Sequence, residues 1–556
     1  MLEDTMMEGA TPVEQARSLR VHRWLRHAAA IALGIVTAVA LAAPARAQLI
    51  DRNLAPNVIK EGIAKTYVQE IGAGRGDLLT PNSSLFIIGR DPARAIRRGR
   101  QIFQRKFSVS QGFGPRTGDG QGNINSDLSI GAGLVDSCAG CHSRPRGSAG
   151  AGGNVVTRPD SRDAPHLFGL GLKEMLADEI TSELRAIRAQ AIASASARHT
   201  DVSANLVTSG AKGAVRYGSI VAHSDGSVDT SGVVGVNPDL RVRPFGAHGG
   251  TISIREFLVG AFNAEMGLES PDTDLLTASS GGRVVTPAGM VLDGALDKFE
   301  APPAVSVTDD PDGDGKVNEV PASIVDFEEI YLLNYFKPGN SFDNLSGEAY
   351  DGQNQLTQLG CTTCHVANLT ITKDRRVADL ETAFDAVRSN PFNRLFATAT
   401  TLFTQTDDGS GYPTLKRPVQ ASFLVRNIFT DFKRHDLGPA FYERNYDGTL
   451  QKEFMTTPLW GVATTAPYGH DGRSSALTDV ILRHGGEAQA ARDRFARAGL
   501  GVQRNILIFL NTLVLFPPDD TASTLSPAVP STANYPQAGH GSIKLGALFN
   551  DPSDPE

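Results

Sequence analysis

Two short cysteine–histidine motifs are the part of this sequence whose residue types and spacing indicate chemistry. They are Cys138-Ala-Gly-Cys141-His142 and Cys361-Thr-Thr-Cys364-His365, and together they contain all four cysteines of the chain. In a CxxCH motif the two thiols form thioethers with haem vinyl groups, and the adjacent histidine is the proximal iron ligand. A thioredoxin-like motif does not require the histidines, and a zinc ribbon has CxxC pairs only ~15–20 residues apart. The sequence therefore predicts two covalently bound haem c groups, each with its motif histidine on the iron.

Similar elements surround the two motifs. A helical pattern containing Gly99 precedes the first motif, and one containing Gly352 precedes the second. Downstream of each motif, residues 251–262 and 475–482 have helical periodicity, and these segments lead to Glu265 and His484, respectively. We therefore expect an internal duplication and a mainly α fold. The expected architecture is two tandem class-I cytochrome c-like haem domains with long irregular insertions, in agreement with the 57 glycines.

The N-terminus has the pattern of an export signal. Four arginines between positions 17 and 26 precede an uncharged, alanine-rich run over residues 28–43, and Ala45-Arg46-Ala47 fits a small-x-small cleavage site. The run is shorter than the ~20 residues of a stable transmembrane helix, although a retained anchor is the alternative. We expect a periplasmic or secreted protein without a membrane span after cleavage.

Length and charge limit the number of domains and the classes of binding partner. The chain has 556 residues, 40% of them hydrophobic and 21% charged, and a net charge of −8. This length suits more than one domain, and the acidic balance without a basic cluster argues against a nucleic-acid partner. The predicted segments are a signal peptide (1–47), an N-terminal haem domain (48–305), an acidic linker (306–325), a C-terminal haem domain (326–520) and an irregular tail (521–556).

The acidic linker contains a partial calcium-loop pattern. Asp310, Asp312 and Asp314 alternate and are followed by Gly315, as at the start of an EF-hand loop. The twelfth position carries Pro321 instead of the bidentate glutamate. A solvated linker turn and a calcium site are therefore both open interpretations.

Several longer stretches of the chain resemble a known family. They lie at residues 167–172, 262–271, 435–439, 457–473 and 484–488, spread over most of the chain after the signal segment. In these stretches the sequence is similar to the bacterial di-haem cytochrome c peroxidase and MauG-like superfamily, and most similar to its periplasmic di-haem oxidoreductase, peroxidase-like branch. The resemblance implies that the N-terminal haem reacts with peroxide and that the six-coordinate C-terminal haem passes electrons.

The resemblance also implies roles for individual residues. His484 falls at the position of the second haem's distal ligand, where cytochrome c peroxidases usually have methionine and MauG has tyrosine. A second imidazole in place of a thioether lowers the potential of that haem. Glu265 falls on the family's Asn-Pro-x-Glu-Met motif, although Asn263 and Ala264 do not keep the Asn-Pro pair. A carboxylate there would be the acid/base group for peroxide at the first haem. A helix-end polar residue is the alternative for each.

The roles of four other residues stay open at this stage. His470 and Arg473 match motif positions and could serve haem propionates, a proton path or a structural purpose. Trp460 could carry electrons or belong to the core, and a core position is the commoner case. His248 precedes the helical segment at residues 251–262 and is a weak candidate for a ligand of the first haem.

These observations favour a periplasmic di-haem c-type oxidoreductase. Hydrogen peroxide or oxygen would react at the first haem, either to be reduced or to oxidise a donor through a high-valent haem. Electrons would come from a small cytochrome, a cupredoxin or a small-molecule substrate. One alternative is a non-catalytic di-haem electron-transfer cytochrome, and another is a haem dioxygenase of the rubber-oxygenase type.

Overall fold

The structure of the protein is a computed structural model. It describes residues 66–107, 137–142, 154–155, 162–335, 345, 347–384, 395–401, 405–407, 413–415, 422–445 and 448–513. The predicted signal peptide and the predicted tail at 521–556 lie outside the described residues, as does most of the glycine-rich insert before the first motif. The predicted domain boundaries stay predictions.

The described residues form twelve α-helices, most of them shorter than fourteen residues. They are α1 (Tyr67–Ile71), α2 (Ser84–Arg90), α3 (Pro92–Gln104), α4 (Cys138–Cys141), α5 (Leu170–Arg198), α6 (Ile254–Met266), α7 (Thr273–Ser279), α8 (Ala322–Asn334), α9 (Gly347–Gln358), α10 (Leu477–Arg483), α11 (Gln489–Arg497) and α12 (Leu500–Leu510). Short 3-10 helices occur at Gly210–Lys212, Cys361–Thr363, Val462–Thr464 and Gly486–Ala488.

The strands in the described part of the chain are short, and all of their pairings are antiparallel. They form seven two-stranded sheets (β1–β2, β6–β7, β8–β13, β9–β10, β11–β12, β14–β17 and β15–β16) and one three-stranded sheet of order β3-β4-β5. The strands are β1 (Asn154–Val155), β2 (Arg162–Asp163), β3 (Val202–Val207), β4 (Arg216–Ala222), β5 (Val228–Asp229), β6 (Arg283–Val285), β7 (Val291–Asp293), β8 (Leu369–Ile371), β9 (Ala378–Phe384), β10 (Leu395–Thr401), β11 (Gln405–Asp407), β12 (Pro413–Leu415), β13 (Phe423–Val425), β14 (Arg434–Asp436), β15 (Glu443–Arg444), β16 (Leu450–Gln451) and β17 (Glu453–Met455).

The helix before the first CxxCH motif crosses α8 at close range. The side chain of Asp91 caps the start of α3, and Pro92 occupies its first turn, as both residue types favour. At the crossing, a Cβ on Gly99 would lie 2.0 Å from the carbonyl oxygen of Phe327. Only glycine lets the two backbones approach so closely. The helical pattern predicted around Gly99 thus lies within α3, and this glycine is the contact point of the pair.

The second motif has an equivalent pair of helices. α9 precedes the motif and packs against α12. At Gly352 a Cβ would lie 2.0 Å from the carbonyl oxygen of Asn505. The two glycines that suggested a duplication in the sequence therefore occupy the same kind of position, a close crossing with a later helix. The predicted helical segments after each motif are also present, as α6 and α10.

α8 spans the predicted boundary between the acidic linker and the C-terminal haem domain. Its apolar residues, including Phe327 and Tyr331, lie in one core with Phe103 of α3 and Phe262 of α6. The boundary at residues 325/326 would assign most of this helix to the second domain. α8 therefore packs in the same core as the helices around the first motif.

A third apolar core lies apart from the two helix crossings, and the sequence did not predict it. The 29-residue helix α5 packs on β3 and β4, and Tyr217 of β4 is fully buried there. The same core contains apolar residues from the C-terminal part of the chain: Leu369, Ile371, Val425, Ile428, Phe432 and Trp460.

Among the residues that the structure describes, no helix has both the length and the apolar character needed to cross a bilayer.

Candidate functional site

The first CxxCH motif forms a single helical turn that ends at its histidine. Ser137 caps this turn, since its side chain accepts a hydrogen bond from the backbone N–H of Gly140. The next residue after the turn, His142, has its Nδ1 2.7 Å from the carbonyl oxygen of Pro165. A carbonyl can only accept, so Nδ1 carries the proton and the lone pair lies on Nε2. Nε2 is therefore the ring nitrogen whose lone pair would bind a metal.

The second motif repeats this arrangement. Cys361–Thr363 form a 3-10 turn, and Nδ1 of His365 lies 3.0 Å from the carbonyl oxygen of Phe429. Burial lowers the pKa of His365 to about 4, so its imidazole is neutral at pH 7. A neutral ring with its Nε2 lone pair free is the form that binds iron. The two motif histidines thus have the same orienting hydrogen bond.

The cysteines of both motifs suit thioether formation. None of the four forms a disulfide, so every thiol keeps the group that would react with a vinyl group. All four lie at intermediate burial, and Cys138 and Cys361 pack against the edges of the two cores. This donor set, two thiols and one oriented imidazole in each motif, fits a covalently bound haem. His142 and His365 would hold the iron, and Cys138, Cys141, Cys361 and Cys364 would hold the porphyrin.

His484, the predicted distal ligand of the second haem, follows directly after α10. Its Nδ1 lies 2.6 Å from the carbonyl oxygen of Val480, which again leaves Nε2 without the proton. Burial lowers the pKa of His484, so this ring too is neutral at pH 7. Protonation of His484 would also lower the pKa of His365. The two histidines therefore lie close enough to interact electrostatically.

Glu265, the predicted acid/base residue, lies in the last turn of α6 and is half-buried. Its neighbours Phe262 and Met266 are buried in the same core as Cys138. The helix therefore borders the first motif, and Glu265 lies at its C-terminal end. Its catalytic role stays a prediction.

A buried glutamate beside the first motif was not singled out from the sequence. Glu328 of α8 is fully buried, and the Sγ of Cys138 donates to its Oε1 at 3.8 Å. Its Oε2 is buried without a hydrogen-bond partner. Burial raises the pKa of Glu328 well above its usual value, which favours the neutral acid form. Nothing in the local sequence distinguishes it from the ion-paired Glu329 that follows.

A second missed group lies beside Cys364. His435 has Nε2 2.9 Å from Asp431 and Nδ1 2.7 Å from Glu487. Burial lowers the pKa of His435, but the hydrogen bonds with Asp431 and Cys364 outweigh it and raise the pKa to about 11. The ring is therefore an imidazolium that donates from both nitrogens. Its place in the stretch at residues 435–439 was the available signal.

Of the residues whose roles the sequence left open, two histidines belong to a polar cluster and Arg473 lies at the surface. His248 and His470 both contact Glu443, at 2.8 and 2.9 Å, and the ring of His470 stacks on Phe454. The Glu443 contact occupies Nε2 of His248, which favours a polar network over ligation at that atom. The Arg473 side chain is 68% exposed, so it faces solvent beside Asp471.

Trp460 lies in the core, as the commoner interpretation expected. It is 1% exposed and belongs to the core around α5.

Comparison with known proteins supports the haem interpretation. Residues 403–513 match a family model. Its description is "Di-haem oxidoreductase, putative peroxidase". The matched region begins after the second CxxCH motif and contains Trp460, His470 and His484. No curated protein matches the chain. The match supports haem as the cofactor and an oxidoreductase of the di-haem, peroxidase-like kind as the class of protein.

Proposed function

We propose that this chain is an exported, periplasmic or secreted, di-haem c-type peroxidase with one catalytic and one electron-transfer haem. The observation that carries the proposal is the repeated arrangement at the two motifs. Each has a CxxCH turn, a histidine whose Nδ1 is bound to a carbonyl 2.7 or 3.0 Å away, and a glycine-mediated helix crossing. The family match over residues 403–513 points to the same class.

The overall reaction would be the reduction of hydrogen peroxide to two waters, with uptake of two electrons and two protons. The haem held by the first motif would supply the iron that reduces peroxide. Electrons would come from a small cytochrome, a cupredoxin or a small molecule and enter through the second site. The low-potential donor set of His365 and His484 suits a haem that stores and passes electrons rather than one that binds a substrate.

Residues of the chain would hold the first iron, transfer a proton and exclude water. His142 would hold the first iron through Nε2, with the Pro165 carbonyl fixing the plane of its ring. Glu265 would take a proton from peroxide and return it to the departing oxygen. Around the second site, the buried rings of Phe441 and Phe429 exclude water. The ring of Phe441 contacts His484 edge to face, with centroids 5.3 Å apart.

The decisive measurement is an electron paramagnetic resonance spectrum of the purified protein, combined with peroxide turnover. We expect two covalent haems per chain, one high-spin and one low-spin, and peroxide-dependent oxidation of a reduced donor. Glu265→Gln should leave both spectra unchanged and slow the reaction with peroxide by ~10²–10⁴. Glu348→Gln, at an exposed residue of α9, is the matched control and should react like the wild type.

Other outcomes would contradict the proposal. Two low-spin haems that persist after one-electron reduction, without peroxide turnover, would indicate an electron carrier instead. A stable ferrous–oxygen adduct would indicate an oxygenase. Unchanged kinetics in Glu265→Gln would remove this residue from the mechanism.

A further inference from the structure

The acidic segment between the two predicted domains contains a cluster of carboxylates from two parts of the chain. Side-chain oxygens of Asp312, Asp314 and Glu319 lie within 4.8 Å of one another, and so do those of Glu269, Asp310 and Asp312. Asp312 belongs to both groups, so the five carboxylates form one cluster in space. We call them the acidic loop site. In the sequence the three aspartates suggested either a solvated turn or a calcium loop, and neither glutamate was included.

Glu319 distinguishes this cluster from a solvated turn. It is 3% exposed, and its Oε1 is buried without a hydrogen-bond donor. Its other oxygen, Oε2, accepts from the backbone N–H of Glu269 at 2.7 Å. Burial, together with the charges of Asp312 and Asp314, raises the pKa of Glu319 to about 7. Burying a carboxylate oxygen without a partner beside other acids costs free energy, and a bound cation would offset that cost.

The loop geometry accounts for the missing twelfth ligand. Pro321 stands at that position and begins the turn into α8, so it cannot supply a side-chain oxygen. Glu319, two residues earlier, places its carboxylate beside the aspartates instead, and Glu269 adds a second one from the segment after α6. An all-oxygen set of this size suits Ca²⁺, which accepts six to eight oxygens in flexible geometry. Zinc prefers nitrogen and sulfur, and Mg²⁺ prefers fewer protein ligands with several waters.

We propose that the acidic loop site binds one Ca²⁺ through Glu269, Asp310, Asp312, Asp314 and Glu319. The ion would connect two segments that already contact each other. Val320 N–H donates to the carbonyl of Glu269 at 3.0 Å, and the hydroxyl of Tyr67 donates to the carbonyl of Glu319 at 2.5 Å. Since α8 begins directly after these contacts, bound Ca²⁺ would fix the start of the helix that crosses α3. It would thereby stabilise the core around the first CxxCH motif.

The test uses the intact haem-containing protein after treatment with a chelator. Titration with CaCl₂ in a calorimeter should show one site per chain with a dissociation constant below about 1 mM. Ca²⁺ should also raise the unfolding temperature, and MgCl₂ at the same concentration should raise it less. Asp312→Asn and Glu319→Gln should each weaken binding at least about tenfold and reduce the thermal shift.

Asp309→Asn is the matched control. Asp309 is an acid of the same segment, but its carboxylate accepts from the N–H groups of Val305 and Ser306 and is not part of the cluster. This variant should bind Ca²⁺ like the wild type. Because Asp312 is only half-buried, Asp312→Asn should fold even if Glu319→Gln does not. The proposal is wrong if the wild type shows no saturable Ca²⁺ binding, or if Asp312→Asn binds as tightly as Asp309→Asn.

Discussion

Replacing the glycine at each helix crossing with alanine tests the two close crossings directly. An alanine Cβ at Gly99 would lie 2.0 Å from the Phe327 carbonyl oxygen, and one at Gly352 would lie 2.0 Å from that of Asn505. Each contact must open by more than about 1 Å to reach ordinary van der Waals separation. Backbone atoms cannot rotate away, so one helix must shift and disturb the packing beneath it.

Two opposing effects decide the magnitude. Alanine favours a helix interior over glycine by ~0.5–1 kcal/mol. Overpacking a close-packed core typically costs ~1–3 kcal/mol, and a rigid obstacle places these sites at the upper end of that range or beyond it. We therefore expect Gly99→Ala and Gly352→Ala each to destabilise the protein by a net ~1–3 kcal/mol, which corresponds to several degrees in unfolding temperature.

The assay is thermal unfolding of the haem-containing protein, followed by circular dichroism, together with the haem content per chain. Gly260→Ala is the matched control, because Gly260 lies in α6 at an exposed position and a Cβ there would have no neighbour within 4 Å. This variant should be as stable as the wild type or slightly more stable. If Gly99→Ala and Gly352→Ala behave like Gly260→Ala, the close crossings do not exist as described.

Two further predictions concern the groups around the candidate haems. His484→Met replaces an imidazole with a thioether and should raise the midpoint potential of one haem by on the order of 10² mV in a redox titration; an unchanged potential would exclude His484 as a ligand. The pKa of Glu328 is raised in the folded state, so unfolding releases its proton above pH ~4.3. Stability should therefore fall as pH rises from about 4.3 toward the folded-state pKa, by at most ~1.4 kcal/mol per pH unit. Urea unfolding at pH 5 and pH 8 should show a smaller difference for Glu328→Gln than for the wild type.

The parts of the structure that the sequence predicted depend on local patterns. The CxxCH spacing fixes which side chains share a turn, and helical patterns of apolar residues and glycines predicted α3, α6, α9 and α10. The core around α5 depends on contacts between segments far apart in the chain, for which no local pattern exists. The same reason explains why Glu269 was missed, since its carboxylate joins the acidic loop site from a different segment. α8 was divided by the predicted boundary because its partner, α3, lies more than 200 residues earlier.

The core around α5 has a practical consequence for work with fragments. Helix α5 and the strands β3 and β4 precede residue 223, whereas Trp460 and the other apolar residues that complete this core come from beyond residue 368. A fragment cut between the two CxxCH motifs would expose the apolar faces of both pieces to water, at a cost of about 25 cal/mol for each Å² uncovered. Neither motif can therefore be studied as an independently expressed half, and a split version of the protein would need both pieces produced together.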